Sequence, residues 1–388
     1  MTIYSEYLNL HDFASIMRER KRQLAQIAAT RERAVLTIAS DLSGRPEKMN
    51  APVAIDYTDL LPVADQLDAL SGDAVDVILE TPGGLAERAE DIVLMIRNKF
   101  ESVAFIVPGA AMSAGTIMAM SGDEILLDPN SSLGPIDAQV VSGGKRFSAE
   151  AFLTGLEKIK QEVKKTNELN RAYIPILQGI SPGEIQACEN VQDFSRKLVT
   201  QWLTQWKFRT WRTHSSTGKP VTKDEKVGRA GQIAGQLCNH SHWLTHGRSI
   251  KLKDLRGMGL KITDYSESPD LSDAIRRYYT LLRMTFEATS MYKLFETPTT
   301  QIARFLAIVA PPQSPGADVA QVNFKCSKCG EGAQIQANFR QGIPLKKGSV
   351  PFPKNNKFKC PHCSLETDLS DLRKQLEAES GKPMVFQA

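Results

Sequence analysis

The sequence lacks features that would place it in several common classes of protein. No phosphate loop of the form Gly-x-x-x-x-Gly-Lys-Ser/Thr occurs, and Thr217-Gly218-Lys219 has no upstream glycine at the required spacing, which excludes ATP hydrolysis by that route. Charges recur from Arg18 to Arg22, so we expect no secretory signal and a cytoplasmic location. The net charge is only +4, and charge alone therefore does not indicate nucleic-acid binding.

Charge is also missing from one internal run, Ser102 to Gly122, which is long enough to cross a bilayer. Its breakers, Pro108 and Gly109, and its strand-like beginning fit a buried strand, a turn and a short helix. We therefore expect no stable membrane span, with the membrane interpretation as the alternative.

The composition is that of a globular chain, with 41% hydrophobic and 24% charged residues in 388 positions. This length suits one large domain and one small domain. Three prolines and a glycine between residues 310 and 316 are typical of a linker. We expect a main domain over 1–309 with a helical insertion at about 178–226, a linker over 310–322, a zinc ribbon over 323–370 and a charged tail over 371–388.

Four of the six cysteines form two Cys-x-x-Cys pairs about thirty residues apart. Four thiolates at this spacing predict one structural, tetrahedral zinc ion, and the alternatives are two disulfides or a redox pair. Cys188 and Cys238 are isolated and are expected in a core, and His362 is expected on the surface. The predicted zinc ligands are Cys326, Cys329, Cys360 and Cys363.

The predicted ribbon is rich in basic residues, with eight between Lys325 and Lys359 against one acid, Glu331. Phe339, Phe352 and Phe358 lie among them, and Phe324 directly precedes them. Nucleic acid or an acidic protein could dock on such a surface. The alternative is that the lysines solvate a small domain and that the phenylalanines form its core.

Apolar runs and amphipathic stretches alternate through the first half of the chain, which predicts an α/β fold with parallel strands. Helical spacing is also present over residues 12–33, and one charged helix is expected over 149–173. Trp202 and Trp206 are one helical turn apart, which favours a core or a subunit interface over a base-stacking platform. The expected strands are Ala34–Ala39, Val75–Leu79, Val103–Val107 and Glu124–Leu127, and the expected helices between them are Tyr57–Leu70, Ala86–Phe100 and one beginning near Ala114.

Two turns at the ends of predicted strands carry groups suited to chemistry. Thr81-Pro82-Gly83-Gly84 offers bare backbone amides, and Met112-Ser113-Ala114-Gly115 places a hydroxyl at the beginning of a helix. Ligands of parallel sheets gather at this edge, where amides could stabilise an oxyanion formed by attack of the serine. The alternative is that Ser113 only caps the helix.

Four ordered motifs resemble the serine dehydrogenase proteinase family of the Clp-protease and crotonase superfamily, which is related to the signal peptide peptidases. They are Ile78–Leu85, Val107–Ile117, Ser131–Asp137 and Trp243–Ile250. The resemblance implies a fold of repeated ββα units with a mostly parallel sheet, to which the small C-terminal zinc ribbon is added.

The resemblance also implies roles for single residues. Ser113 would be the nucleophile, the amides of Gly84 and Ala114 would form the oxyanion hole, and Gly83 would shape the turn. The Clp subunit has its catalytic histidine where this chain has Asp137, so that triad is absent. Three other residues are candidates for the base: His246, which Asp137 could orient, and Lys164 and Lys165, which fall in the range used by signal peptide peptidases.

The implied activity is that of a serine peptidase acting on a polypeptide, with structural zinc and a ribbon that recognises substrate or partner. Relatives of this kind assemble as trimers, hexamers or larger rings, so a homo-oligomer is expected, and any unfoldase that feeds it is a separate protein. Two alternatives stay open: a catalytically silent scaffold or adaptor of the same fold, and a crotonase-like enzyme that handles acyl-CoA.

Overall fold

The computed structural model describes residues 2–7, 12–142, 144–214, 217–306 and 318–386. The chain divides into two compact units, Met1–Leu306 and Ala307–Ala388. Most of the predicted linker, residues 310–317, lies outside the described residues.

The first unit is built on a seven-stranded sheet with the order β11-β10-β1-β2-β3-β5-β9. The pairs from β1 to β9 are parallel, with Leu36 opposite Val77 and Val77 opposite Phe105, while β10 and β11 are antiparallel. Its strands, with four short ones outside this sheet, are β1 (Ala34–Ser40), β2 (Ala74–Glu80), β3 (Ser102–Ile106), β4 (Ala110–Ala111), β5 (Glu124–Leu127), β6 (Ser132–Leu133), β7 (Gln139–Ser142), β8 (Lys145–Ser148), β9 (Thr263–Asp264), β10 (Met291–Glu296) and β11 (Gln301–Phe305).

Helices cover both faces of the sheet, because the parallel strands are apolar on both sides. Helices α2 and α12 pack on one face, where Leu24, Ile27 and Tyr278 are buried, and α3, α4, α5, α8 and α9 contribute to the core on the other face. The helices are α1 (Ile3–Tyr7), α2 (Phe13–Arg31), α3 (Leu60–Asp68), α4 (Ala86–Lys99), α5 (Ala114–Met120), α6 (Ala149–Thr166), α7 (Ile174–Gln178), α8 (Pro182–Trp202), α9 (Lys223–Leu237), α10 (His240–Trp243), α11 (Leu252–Gly257) and α12 (Pro269–Ala288).

Most predicted elements are confirmed within two or three residues. The single helix predicted over 149–173 is wrong at its C-terminal end, because Asn167 adopts a left-handed conformation (φ 57°) and ends α6. A short 3₁₀ turn, Arg171–Tyr173, then leads into α7. The charge-free run 102–122 forms β3, β4 and α5, and no helix in the described part of the chain has the length and apolar character of a membrane span.

The predicted insertion contains a long helix, α8, which continues into a π-helical turn, Leu203–Lys207. Trp202 lies in the core of the first unit, and Trp206 stacks on the Arg97 guanidinium, 4.4 Å from the ring centre. The tryptophans therefore pack within this unit, which is one of the two arrangements that the spacing favours, and Trp202 is not available as a stacking surface.

In its described residues, 318–386, the second unit contains a three-stranded sheet, a two-stranded hairpin and one helix around a small core. Phe339, Phe352 and Phe358 are buried there together with Leu376, which belongs to the predicted charged tail. The elements are β12 (Val319–Lys325), β13 (Gly332–Asn338), β14 (Ser349–Pro351), β15 (Lys357–Lys359), β16 (Glu366–Asp368) and α13 (Ser370–Ser380).

Candidate active site

The first half of the site is the turn Thr81–Gly84, which follows β2. Ile55 holds it from one side: its N–H donates to the Gly83 carbonyl at 2.8 Å, and its carbonyl accepts from Leu85 N–H at 3.0 Å. A Cβ atom on Gly84 would lie 2.3 Å from the Ile55 carbonyl oxygen, and Gly83 has a φ of 92°. Both glycines are therefore required by the local backbone.

Ser113 lies between β4 and α5 in a strained backbone conformation, with φ 50° and ψ −111°. Such strain in a residue other than glycine is concentrated at functional sites, and a sharp turn between strand and helix is how many hydrolases expose a nucleophilic serine. The side chain is half-buried, and in the part of the chain that the structure describes its hydroxyl makes no hydrogen bond. Ser113 therefore does not cap α5 through its side chain.

The turn and the serine are in direct contact. A Cβ atom on Gly83 would lie 2.8 Å from Ser113 Cβ and 3.1 Å from the Ala114 nitrogen. Among the described residues, neither the Gly84 amide nor the Ala114 amide donates a hydrogen bond. The turn that carries the Gly84 amide thus contacts Ser113, whose hydroxyl and following amide also have no partner among the described residues. Unpartnered backbone donors beside a hydroxyl are what an oxyanion hole requires.

Asp137 and His246 lie within ion-pair distance of each other. Asp137 is buried and accepts hydrogen bonds from Ser148 Oγ at 2.5 Å and Gln139 Nε2 at 2.8 Å. His246 Nδ1 lies 3.7 Å from Asp137 Oδ2. The loop that carries Asp137 is tied to the serine segment, since Gly134 N–H donates to the Ala111 carbonyl. No hydrogen bond joins His246 to Ser113 within the described ranges.

Lys164 and Lys165 occupy the last turn of α6, and both are exposed. A lysine acts as a base near neutral pH only when burial or a neighbouring cation disfavours its charged form. Because both side chains are exposed, burial does not disfavour the charged form of either lysine. The described structure brings neither lysine into contact with Ser113.

Glu80, which sequence reasoning missed, directly precedes the turn. Its carboxylate accepts from Ala110 N–H at 2.8 Å and from the Tyr279 hydroxyl at 3.0 Å, and burial raises its pKa to about 7. A Cβ atom on Gly109 would lie 2.5 Å from Glu80 Oε2. Glu80 therefore joins β2 to the chain segment that carries Ser113. An acid directly after the apolar run Val77–Leu79 was the available signal.

Comparison with known proteins places this geometry in a family. Residues 14–210 match the model of the ClpP-like SDH-type serine proteinases. The chain belongs to that family. The match covers both turns, Asp137 and the two lysines, and it ends before His246 and before all four paired cysteines.

Two uncharacterised proteins of Methanocaldococcus jannaschii are related to this SDH-type proteinase, at 36% identity over 88 residues and 41% over 66 residues. These matches cover 23% and 17% of the chain, and 30% and 23% of the two relatives. The chain therefore spans less than a third of the length of either relative.

Two solved structures are similar to parts of this proteinase at low identity. A membrane-bound stomatin-specific protease is 14% identical, with 57% of this chain and 79% of that chain covered and a TM-score of 0.34. ClpP1 from Listeria monocytogenes is 12% identical, with 63% and 94% covered and a TM-score of 0.31.

Outside the family match, the second unit gathers its four paired cysteines in one cluster, with all sulfurs within 4.8 Å of one another. The Sγ atoms of Cys326 and Cys363 are 3.6 Å apart, and those of Cys329 and Cys360 are 3.7 Å apart. A tetrahedral zinc ion with bonds of about 2.3 Å holds its sulfurs about 3.8 Å apart, so the cluster fits zinc.

The backbone of the first cysteine turn favours a thiolate. The N–H groups of Cys329 and Lys328 lower the pKa of the Cys326 thiol to about 6. His362 is exposed and does not belong to the cluster. The phenylalanines between the lysines pack in the core, whereas all eight basic residues from Lys325 to Lys359 are exposed.

Proposed function

We propose that this chain is a serine peptidase in which Ser113 attacks the carbonyl carbon of a peptide bond. The observation that carries the proposal is the contact between the strained Ser113 and the Gly83 turn, together with the amides of Gly84 and Ala114, which donate no hydrogen bond within the described residues. Membership of a family of serine proteinases supports the same reaction.

In the proposed reaction, the amides of Gly84 and Ala114 stabilise the oxyanion that forms when Ser113 Oγ attacks. His246 takes the serine proton at Nε2, because its Nδ1 faces Asp137, and passes that proton to the departing amine. Water then hydrolyses the acyl-enzyme with the same histidine as base. Lys164 or Lys165 is the alternative base.

A catalytically silent scaffold is the second candidate, because no hydrogen bond links Ser113 to His246 within the described ranges. Hydrolysis of unfolded casein by the purified full chain distinguishes the two candidates. We expect Ser113→Ala to lower turnover by more than about a hundredfold, since a nucleophile is lost. Ser266→Ala, which changes an exposed serine, is the matched control and should have normal turnover. Undiminished hydrolysis by Ser113→Ala would refute the peptidase.

For the second unit, we propose one structural zinc ion bound by Cys326, Cys329, Cys360 and Cys363. Four thiolates close the coordination sphere, so the ion would stabilise the fold and take no part in the reaction. We expect one zinc per chain by elemental analysis, lost in the double variant Cys326→Ser with Cys360→Ser. It should be retained in Cys188→Ala, a buried cysteine outside the cluster. Metal content below a tenth of an equivalent in the unsubstituted chain would contradict the site.

The proposal extends to partners. We propose that the exposed basic residues of the second unit capture an acidic protein segment or nucleic acid, and that the first unit assembles as a trimer, hexamer or larger ring. A separate unfoldase would supply unfolded substrate. Light scattering on the purified chain measures the assembly, and a single monomeric mass at micromolar concentration would contradict a ring.

A further inference from the structure

A cavity of about 470 Å³ lies beside the π-helical turn Leu203–Lys207, within the first unit. Lys207, Arg229 and Lys261 line it together with Phe208 and Trp211. None of the described residues that line it is acidic. Its volume lies within the range of small-molecule sites. We call it the cation cavity.

The cation cavity is remote from the candidate active site in the topology of the sheet. Lys207 Nζ donates to the carbonyl of Asp123, directly before β5, and Lys261 lies two residues before β9. These are the amino ends of parallel strands. The turn Thr81–Gly84, by contrast, follows the carboxyl end of β2, so the cavity and the candidate active site are at opposite edges.

Lys207 is the unusual residue of the cavity, since it is a lysine that is only 9% exposed. Among the described residues, its one hydrogen-bond acceptor is the Asp123 carbonyl at 3.2 Å. Burial lowers the pKa of Lys207 to about 8, despite the attraction of Glu124 and Asp123. A buried ammonium group with unused donors gains free energy when an anion enters.

The two acids that attract Lys207 are already engaged by other cations. Asp123 pairs with Arg97 at 2.7 Å and Arg209 at 3.0 Å. Glu124 pairs with Arg31 at 2.6 Å and accepts from the Thr263 hydroxyl at 2.6 Å. Positive charge is therefore in excess around the cavity.

Arg229 and Lys261 add to that excess. A Cβ atom on Gly259 would lie 3.4 Å from Arg229 Nη1, so the guanidinium group lies over the glycine turn. Gly259 has a φ of 84°, which keeps this turn free of a side chain. In the described part of the chain neither Arg229 nor Lys261 forms an ion pair. Both remain available to a ligand.

The remaining wall is aromatic. Phe208 and Trp211 make an edge-to-face contact with ring centres 5.6 Å apart. Such surfaces hold planar apolar rings, whereas a bare inorganic anion gains nothing from them. The π-helical turn carries Lys207 at its end, and π-helical turns occur frequently at functional sites.

We propose that the cation cavity binds a small organic anion that joins a phosphate or carboxylate group to a planar apolar ring. Lys207, Arg229 and Lys261 bind the anionic group, and Phe208 and Trp211 contact the ring. The site is independent of the proposed peptidase reaction, because it lies at the opposite edge of the sheet.

Calorimetric titration of the full chain with 1-naphthyl phosphate tests this proposal. We expect one bound molecule per chain, with 1-naphthol and inorganic phosphate each binding at least about tenfold more weakly, since each supplies half of the contacts. Phosphate binding as tightly as 1-naphthyl phosphate would overturn the role of the aromatic wall.

Variants then locate the ligand. Arg229→Gln and Lys261→Gln change exposed residues and should each weaken binding about tenfold without loss of fold. Lys207→Met should abolish it. Lys253→Met, an exposed lysine outside the cavity, should bind normally, as should Ser113→Ala. Absence of binding at 5 mM probe, or equal binding by the Arg229 and Lys253 variants, would overturn the proposal.

Discussion

Backbone contacts hold Ser113 and the Gly83–Gly84 turn in place, whereas fewer contacts hold the candidate base His246. Ile55 pins the turn, and the Gly83 backbone packs against Ser113 itself. His246 is about one-third exposed and lies 3.7 Å from Asp137, in a segment that follows Leu244 with its positive φ of 67°. The proposed nucleophile and oxyanion donors are thus preorganised, while the position of the proposed base depends on a loop.

The largest expected effect comes from replacing the candidate bases, one at a time, by alanine. We expect His246→Ala to lower casein hydrolysis by about 10²-fold to 10⁴-fold, the usual contribution of a positioned general base. Lys164→Ala and Lys165→Ala change exposed side chains and should retain near-normal turnover. The contrary pattern, with His246→Ala active and one lysine variant inactive, would replace the histidine by a Ser–Lys dyad.

The role of the Gly83–Gly84 turn can be tested by replacing Gly84. Its alanine variant places a Cβ atom 2.3 Å from the Ile55 carbonyl oxygen, so the turn and its amide must move. We expect turnover to fall about 10²-fold to 10³-fold, as when an oxyanion donor is lost. Gly228→Ala is the control, because a Cβ atom there meets open space in α9. Equal turnover of the Gly84 and Gly228 variants would remove Gly84 from the proposed oxyanion hole.

A smaller effect is expected from Glu80, which accepts a hydrogen bond from Ala110 in the segment before Ser113. Its pKa of about 7 lies above the ordinary value of 4.5, so the folded chain binds more protons than the unfolded chain between those values. The free energy of unfolding should therefore fall as the pH rises through this window, by roughly 3 kcal/mol.

Urea unfolding at pH 5, 6, 7 and 8 measures this dependence. Glu80→Gln stays uncharged and should flatten the profile, whereas Glu87→Gln, an exposed change, should keep it. Identical profiles for the unsubstituted chain and Glu80→Gln would show that Glu80 does not titrate in this range.

The parallel strands β1, β2, β3 and β5 could be predicted from sequence because each carries an apolar run between turn residues. The parallel strand β9 was not predicted, because it has only two residues, both polar. Strand β10 was not predicted, because Lys293 and Glu296 interrupt its apolar pattern. Their burial depends on ion pairs with residues far away in the sequence: Lys293 pairs with Asp59 at 2.8 Å, and Glu296 pairs with Arg20 at 2.6 Å. Pairing across more than 200 residues leaves no local signal.

The residues of the candidate site that could be predicted are also those with local contacts. Ser113 and the glycine turn could be found from short motifs, since their conformations are set within a few residues. Glu80 could not be assigned a function, because its partner Tyr279 lies on α12, far along the chain. The choice among His246, Lys164 and Lys165 stays a prediction, since it depends on a loop whose approach to Ser113 no local pattern encodes.

The central claim, that Ser113 is an activated nucleophile, is tested most directly by labelling the full chain with a fluorophosphonate probe and mapping the adduct by mass spectrometry. Our account predicts a covalent adduct on Ser113, normal labelling of Ser266→Ala and no labelling of Ser113→Ala. An unlabelled Ser113 in folded protein, or an adduct confined to another residue, would contradict it.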